Sequence, residues 1–420
     1  MNKKTKVLIL ADHPLSPSGV GTQTRYMIES LLKTGKYTFL CFGGAIKHDN
    51  YEPNTVDPWG KDWIIYPVNG YGNHEMIRSV MRTERPDVLW FMTDPRFFGW
   101  LWEIEDEIRP LVPMVYYHVW DNLPYPIYNK KYYDSTDAVV TISKVTNECV
   151  KNVSPGVDLF HIPHAVNNDI FKKLPIEDVD GFRKEHFKEE GQDRKFTFFW
   201  NNRNARRKQS GTVIFWFKEF LDKIGHENAR LIMHTDVYDP HGQNLEMIIH
   251  ELGLTDGQVI FSQQKLPFEG MSFLYNIADC TINISDAEGF GLSTLESLSC
   301  ETPIIVNMTG GLQEQVTDGK DWFGVGIEPS SRAIIGSQEI PFIYEDRVNK
   351  NDFIDAMLEI YNMSEEERNE LGRKGKEHVM KNYNFMHYGQ KWDNLFQYIV
   401  KEYGSWPNKK YTRWKLSEVI

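Results

Sequence analysis

Cysteine is scarce in this chain: 420 residues hold four, Cys41, Cys149, Cys280 and Cys300, far apart and without a CxxC pair. That spacing indicates neither a zinc site nor a disulfide framework, and a reducing cytosol is the simplest compartment. Long apolar runs are missing too. None approaches the roughly 20 residues a membrane helix requires. The amino terminus, MNKKTKVLILADHP, carries five consecutive apolar residues, fewer than the roughly 7–15 of a secretory core. Positive charge is also in deficit, 47 basic residues against 59 acidic for a net charge of −12. Broad electrostatic capture of nucleic acid is therefore not expected, and peripheral membrane contact has no support beyond the tail discussed below. The one short basic patch is Arg203, Arg206, Arg207 and Lys208. No internal repeat or low-complexity tract stands out.

What is present is a globular composition, 41% hydrophobic, 13% aromatic and 25% charged. At about 150 residues per domain the length predicts two or three domains. Over the first 165 residues, strand-like runs at 7–10, 38–42, 87–92, 113–118 and 138–143 alternate with helix candidates such as 22–33 and 73–83. Short, continuously apolar strands separated by helices mark a parallel sheet covered on both faces. Residues 167–195 are polar and dense in charges of both signs, and read as a connection. The alternation then restarts with strands at 196–200, 230–235, 258–261, 280–285 and 303–306, with helices between them. The stretch 328–349 interrupts it and reads as a loop or edge hairpin. Three helices, 351–363, 364–382 and 384–403, close the chain, the second opening on a capping box, Ser364 with Glu367. The expected fold class is thus α/β, two doubly wound Rossmann-like domains: 1–167 with 385–420, and 168–384. Ligands of open parallel sheets bind outside the carboxyl ends of the strands, which makes a cleft between the two domains the default site.

The sharpest segment is SDAEGFGLSTLESLSCETPIIVNMTGG, 285–311, which follows a strand and opens a helix. Glu288 sits in the turn. Gly289, Phe290 and Gly291 let the backbone pass close to a ligand, and the amides of Gly291, Leu292 and Ser293 form a helix amino terminus suited to phosphate. Glu296, eight residues after Glu288, flanks that site and is suited to accepting hydrogen bonds from sugar hydroxyls. A Gly-rich turn with two solvated glutamates fits the same spacing. Gly19-Val20-Gly21 also follows a strand and precedes a helix, and reads either as a ligand-facing turn or as a tight turn that lets the helix pack.

These residues resemble retaining glycosyltransferases of the GT-B fold, family 4, in the Glu-x7-Glu segment EGFGLSTLE followed by TPIIV and a Gly-Gly turn. NNRNARRK (201–208) is similar to the family's Arg-x4-Lys segment, DAVVTISK (137–144) to its strand before the domain link, HIPHAVNNDIF (161–171) to its Ile-Pro-Asn-Gly-Val-Asp segment, and 13–32 to its first Gly-rich turn and helix. The likeness spans roughly residues 6–325 and the terminal helices. His164, Ala165, the NNRN tetrapeptide and CETP depart from it without touching the charged positions.

The resemblance implies a sugar transferred from a nucleotide-diphosphate donor to a hydroxyl acceptor with retained configuration. Carried over, it implies that Arg203 and Lys208 bind the diphosphate, Glu288 the transferred sugar and Glu296 the ribose, with Gly19 and Gly21 across from the diphosphate. His118, at the end of PMVYYH, is implied near the reacting centre, its alternative being a core histidine. Asp121 is placed to orient His118 or touch the acceptor. Trp120, Tyr125 and Tyr128 read as a sugar-stacking wall or as packing beneath a loop. Arg206 and Arg207 read as exposed loop charges.

No cofactor and no resident metal is expected; Asp178-Val179-Asp180 is formally a metal-binding tripeptide but lies in the charged connection and reads as surface charge. A sugar-nucleotide-binding protein without transfer, and a transferase acting on modified bases in DNA, are the competing readings. The acceptor is expected to be a glycan, a lipid-linked sugar or a small metabolite. The basic and aromatic tail 406–420 suits either a membrane surface or packing on the amino domain.

Overall fold

In a computed structural model describing residues 3–189 and 194–410, the chain divides into two compact units. The first comprises Met1–Ala165, Gly336–Pro341 and Phe385–Ile420, the second Val166–Ile335 and Phe342–Asn384.

The first unit is built on strands β1 (Thr5–Asp12), β2 (Tyr37–Gly44), β3 (Asn54–Val56), β4 (Gly60–Pro67), β5 (Val88–Thr93), β6 (Met114–His118), β7 (Ala138–Thr141) and β8 (Asp158–His161). They form one sheet in the order β3-β4-β2-β1-β5-β6-β7-β8, parallel throughout except for the β3–β4 pair. Successive side chains of β1 serve opposite faces. Leu8 and Leu10 join Leu40, Phe42, Leu89, Phe91 and Tyr116 in one core cluster with helix His74–Glu84. Val7 and Ile9 are equally buried, on the alternate face of the pleat. Helix Phe385–Tyr403 belongs to this unit. Its Trp392, fully buried, meets Trp90 and Tyr117 edge-on, and its Asp393 accepts a 2.6 Å hydrogen bond from Tyr37. Burial of an aromatic this size, with T-shaped neighbours, is among the larger single contributions a helix makes to its unit. The tail 406–420, read as suited to a membrane surface or to packing on the amino domain, is described only to residue 410, and 411–420 lie outside the described residues. Among the described residues no helix is long and apolar enough to cross a membrane.

The second unit repeats the plan with β9 (Phe196–Asn201), β10 (Ala229–His234), β11 (Val259–Ser262), β12 (Cys280–Asn283), β13 (Ile304–Asn307) and β14 (Gly324–Ile327) in an all-parallel sheet ordered β11-β10-β9-β12-β13-β14. Phe196, Phe198 and Trp200 point from β9 into a cluster with Phe217 and Phe220 of helix Ser210–Ile224 and Phe353 and Met357 of helix Lys350–Asn362. The two sheets give the α/β class. All four cysteines are buried and unpaired.

One segment differs from the sequence reading. Residues 167–195 are not merely a connection: helix Ile176–Phe187 packs within the second unit, burying Val179 and Arg183, and Arg183 donates to the Ile277 carbonyl at 2.5 Å. With so few inward positions among twelve residues, its charges hide the helical pattern; residues 190–193 of this stretch lie outside the described residues. Residues 328–349 contain an antiparallel pair, β15 (Ser331–Ile335) and β16 (Ile343–Arg347). The capping box at Ser364 and Glu367 forms in both directions.

Candidate functional site

In the second unit the carboxyl ends of β9, β12 and β13 carry three loops that meet. After β9 the chain makes a tight turn, Arg206–Lys208, before helix Ser210–Ile224. After β12 it makes the Glu288–Gly291 turn and enters helix Leu292–Ser299. After β13 it makes the Thr309–Gly311 turn. Gly311 donates its amide to the Glu288 carbonyl at 2.9 Å, and Asp286 donates its amide to the Arg207 carbonyl at 2.8 Å. Gly291 adopts φ +91°, and an added Cβ would fall 2.5 Å from Leu312 Cδ2, so both the turn and the packing require glycine here.

Lys208 Nζ and Glu288 Oε2, eighty residues apart in sequence, form an ion pair. Both side chains are nearly buried, 11% and 13% exposed. Burial pushes the Glu288 carboxyl up, but Lys208 and Arg207 outweigh it and hold the group below the usual glutamate range. An ionised carboxylate and an ammonium thus face each other beside a helix amino terminus whose cap residue, Gly291, supplies no side chain to satisfy the first amides. Leu292 is half-buried there and Ser293 is buried.

Glu296, one to two turns into that helix, has a different environment. It accepts a 2.7 Å hydrogen bond from the hydroxyl of fully buried Tyr275, which in turn accepts one of 2.8 Å from Asn201 Nδ2 at the end of β9. Burial raises the Glu296 carboxyl to about 7, although the Tyr275 hydroxyl opposes the shift. Neither Tyr275 nor Asn201 carries a sequence signal of its own, because only the tertiary fold brings them to Glu296.

Other expected residues are placed less simply. Arg203 is exposed and makes a two-pronged ion pair with Asp239. Phe290 is buried against Tyr383, and its carbonyl accepts from Gln315, so its side chain is core rather than lining. Arg206 is exposed, as expected, yet pairs with buried Glu345, whereas Arg207 is half-buried and donates to the Ala287 carbonyl at 2.5 Å. Asp286, buried beside them, is raised to about 6 by burial, against a hydrogen bond from Gln209.

In the first unit, His118 departs from expectation. It is wholly buried, with Nδ1 3.0 Å from the Tyr116 hydroxyl and Nε2 2.8 Å from the Tyr133 hydroxyl. The Tyr116 hydroxyl itself donates to the Thr93 carbonyl at 2.7 Å, so it accepts from Nδ1–H and Tyr133 donates to Nε2. A neutral imidazole satisfies this chain, and burial lowers its pKa to about 3. His118 is a core histidine here, turned into the sheet rather than out of it. Trp120 is also buried and donates to the Asn122 carbonyl, whereas Tyr125 and half-buried Tyr128 reach the surface, and Asp121 is half-exposed. The Gly21 amide donates to the Ser18 hydroxyl at 3.0 Å, and a Cβ on Gly21 would fall 2.7 Å from the His13 carbonyl. Close packing explains Gly21, and its amide is already used; rather than preceding the helix, Gly19 and Gly21 lie in the first turn of helix Gly19–Leu32, with Gly19 exposed. Asp178, Val179 and Asp180 lie within helix Ile176–Phe187 with Val179 buried. Among the described residues no cluster of three or more His, Cys, Asp or Glu side chains is arranged to hold a metal ion.

Residues 182–378 match the family model of glycosyl transferases group 1. Among curated relatives, N-acetyl-alpha-D-glucosaminyl L-malate synthase of Bacillus anthracis is 22% identical over 219 residues, 52% of this chain and 53% of that protein. D-inositol 3-phosphate glycosyltransferase of Acidothermus cellulolyticus is 38% identical over 78 residues, 19% of this chain and 17% of that protein. The chain thus spans about half the length of the first relative and less of the second. Among solved structures, sucrose-phosphate synthase from Thermosynechococcus elongatus superposes with a TM-score of 0.74 at 15% identity, covering 95% of this chain and all of that one. Anabaena HepE in complex with UDP and glucose superposes with a TM-score of 0.67 at 13% identity, covering 94% and 99%. The fold is GT-B. Together with the family match over the second unit, it supports a glycosyltransferase.

Proposed function

We propose that this protein is a retaining glycosyltransferase of family 4 that moves a sugar from a nucleotide-diphosphate donor to a hydroxyl acceptor. The observation that carries the reading is the Lys208–Glu288 pair set beside the uncapped amino terminus of helix Leu292–Ser299. A diphosphate needs positive charge that is already in place, and a lysine ammonium with converging backbone amides supplies it in a site with little water. Lys208 would pass from Glu288 to the donor phosphates, freeing the Glu288 carboxylate to accept hydrogen bonds from sugar hydroxyls. Glu296, held by Tyr275, would take the ribose hydroxyls. Arg203, exposed on the same loop, would add a second cation by leaving Asp239.

In this scheme the bond from the anomeric carbon to the phosphate oxygen breaks, and the acceptor oxygen forms the new bond on the same face. The acceptor proton goes to the departing phosphate, giving a nucleoside diphosphate and the glycoside. The protein positions both partners and stabilises the separating charges, with no nucleophilic side chain needed. Diphosphate charge is assigned to Lys208, Arg203 and the helix amides, without a resident metal. The names of the relatives suggest small hydroxyl acceptors of the kind of L-malate and inositol 3-phosphate, and the HepE complex makes a UDP-sugar the first donor to try. Four unpaired buried cysteines fit a reducing, cytoplasmic setting.

The test is a thermal-shift and donor-hydrolysis screen against UDP-, GDP-, ADP- and CMP-sugars, run on the wild type, Glu288→Ala and Lys208→Ala. One nucleotide should stabilise the wild type and be hydrolysed slowly, with both effects lost in the variants. Absence of any nucleotide-dependent shift in a folded wild type would sink the reading.

A further inference from the structure

Asp and Glu are almost never fully buried without partners, yet two adjacent carboxylates on β16, Glu345 and Asp346, are 1% and 2% exposed. In a strand, neighbouring side chains point to opposite faces, so the two reach different partners. Glu345 takes Arg206 by a two-pronged pair and Arg347 at 2.8 Å. Asp346 takes Arg332, its cross-strand partner in β15, at 2.5 Å and the Thr309 hydroxyl at 2.8 Å. The backbone of Asp346 is used as well: its amide donates to the Asp286 carbonyl at 2.8 Å and its carbonyl accepts from Asn307 Nδ2 at 2.6 Å.

These contacts fall on all three loops of the candidate site, and each at the same offset. Arg206 lies two residues before Lys208, Asp286 two before Glu288, and Thr309 two before Gly311, whose amide binds the Glu288 carbonyl. The β15–β16 pair belongs to the 328–349 stretch that interrupts the βα alternation, and the sheet closes without it. A stretch outside the sheet that buries two carboxylates against three functional loops is poorly explained by stability alone, since a buried ion pair is a weak source of it.

We propose that the β15–β16 hairpin is the element that fixes the donor loops, with Glu345 and Asp346 as positioning residues that set the geometry of Lys208 and Glu288 without touching the donor. This rests on the donor reading above. Loops held at three points arrive at the diphosphate already ordered, which lowers the entropic cost of binding; released loops must be ordered by the donor itself.

The experiment measures nucleotide affinity by titration calorimetry with UDP, GDP and ADP, and KM and kcat for hydrolysis of the corresponding sugar nucleotide. The proteins are the wild type, Glu345→Ala, Glu345→Gln, the milder Arg332→Ala, and Ile334→Ser as a control at an exposed β15 position. We expect about tenfold weaker binding for Glu345→Ala, carried by KM with kcat changed less, and partial rescue in Glu345→Gln, which keeps one acceptor oxygen. Arg332→Ala should weaken binding about threefold, and Ile334→Ser should leave it unchanged. Should Glu345→Ala fail to fold, Glu345→Gln and Arg332→Ala decide the matter, because Arg332 is half-exposed and its strand pair lies outside the six-stranded sheet. Wild-type binding with unchanged affinity in folded variants overturns the hairpin's role and leaves the donor reading standing. No binding by the wild type overturns both.

Discussion

The two units present the ends of similar parallel sheets in opposite ways. In the second, the strand-end loops carry charge that is paired but poised: Lys208 with Glu288, Arg203 with Asp239, and Glu296 on Tyr275. In the first, the most conspicuous strand-end group, His118, is sealed between two tyrosines, and Trp120 is buried beside it. Charge gathered at the carboxyl ends of parallel strands is where ligand chemistry is expected, whereas an imidazole with both nitrogens satisfied and no exposed edge acts as a packing residue that happens to be polar.

The sharpest way to break this comparison is to remove one group from each side. Glu288→Ala should lower the rate of sugar transfer or donor hydrolysis by about 100-fold or more, as loss of a group aimed at developing charge does elsewhere. His118→Phe keeps the ring volume but takes from the Tyr133 hydroxyl its acceptor and from the Tyr116 hydroxyl its imidazole donor, so it should cost about 1–3 kcal/mol of stability and change kcat of the folded enzyme less than threefold. Thermal unfolding and kinetics on both variants check this; a His118→Phe protein that folds well and loses activity as completely as Glu288→Ala would return His118 to the reaction.

A pH titration sharpens the contrast within the second unit. Glu296 is raised from 4.5 to about 7 in the folded chain. For a raised carboxyl the folded state prefers the protonated form, so this group's contribution to stability without ligand is largest below about pH 4.5 and is lost as pH climbs to about 7. The loss reaches at most about 3 kcal/mol at 1.4 kcal/mol per unit, less because the group is partly exposed. Glu296→Gln should remove this group's share of the decline, leaving the part that Asp286, raised to about 6, contributes at lower pH. Donor affinity should run the other way, rising through pH 7 as the carboxylate forms and accepts charge-assisted hydrogen bonds. Glu288, held low by Lys208, should contribute nothing to either slope in that range.

A smaller effect than that of Glu288→Ala is expected for Tyr275→Phe. It removes one hydrogen bond to Glu296, worth about 1 kcal/mol, and should raise KM for the donor about fivefold while kcat stays within twofold. Steady-state kinetics with the best donor from the screen will show it, and an unchanged KM would mean that Glu296 needs no support from β9.

How much of this was legible beforehand varies with how local the signal is. Strands β1, β2, β5, β6 and β9 stand out because each is a short apolar run. β4 is harder to see: it buries alternate residues, Trp63, Ile65 and Pro67, behind a Pro- and Gly-containing approach. The charged helix Ile176–Phe187 escapes because it buries so little. In the site, the Gly-rich turn and its two glutamates are contiguous and readable. Tyr275, Asn201, Glu345 and Asp346 are not, since each acts on a residue far away in sequence.

By itself the sequence determined two parallel α/β units, the turn that opens helix Leu292–Ser299, and the identity of its charged neighbours, because βα alternation and glycine backbone freedom are properties of short stretches of chain. Tertiary structure alone decided which charges meet. It joined Lys208 to Glu288 across eighty residues, gave the two glutamates opposite pKa shifts, and withdrew His118 into the core. The physical reason is that charge state and accessibility depend on burial and on partners, and both are fixed only when distant segments pack.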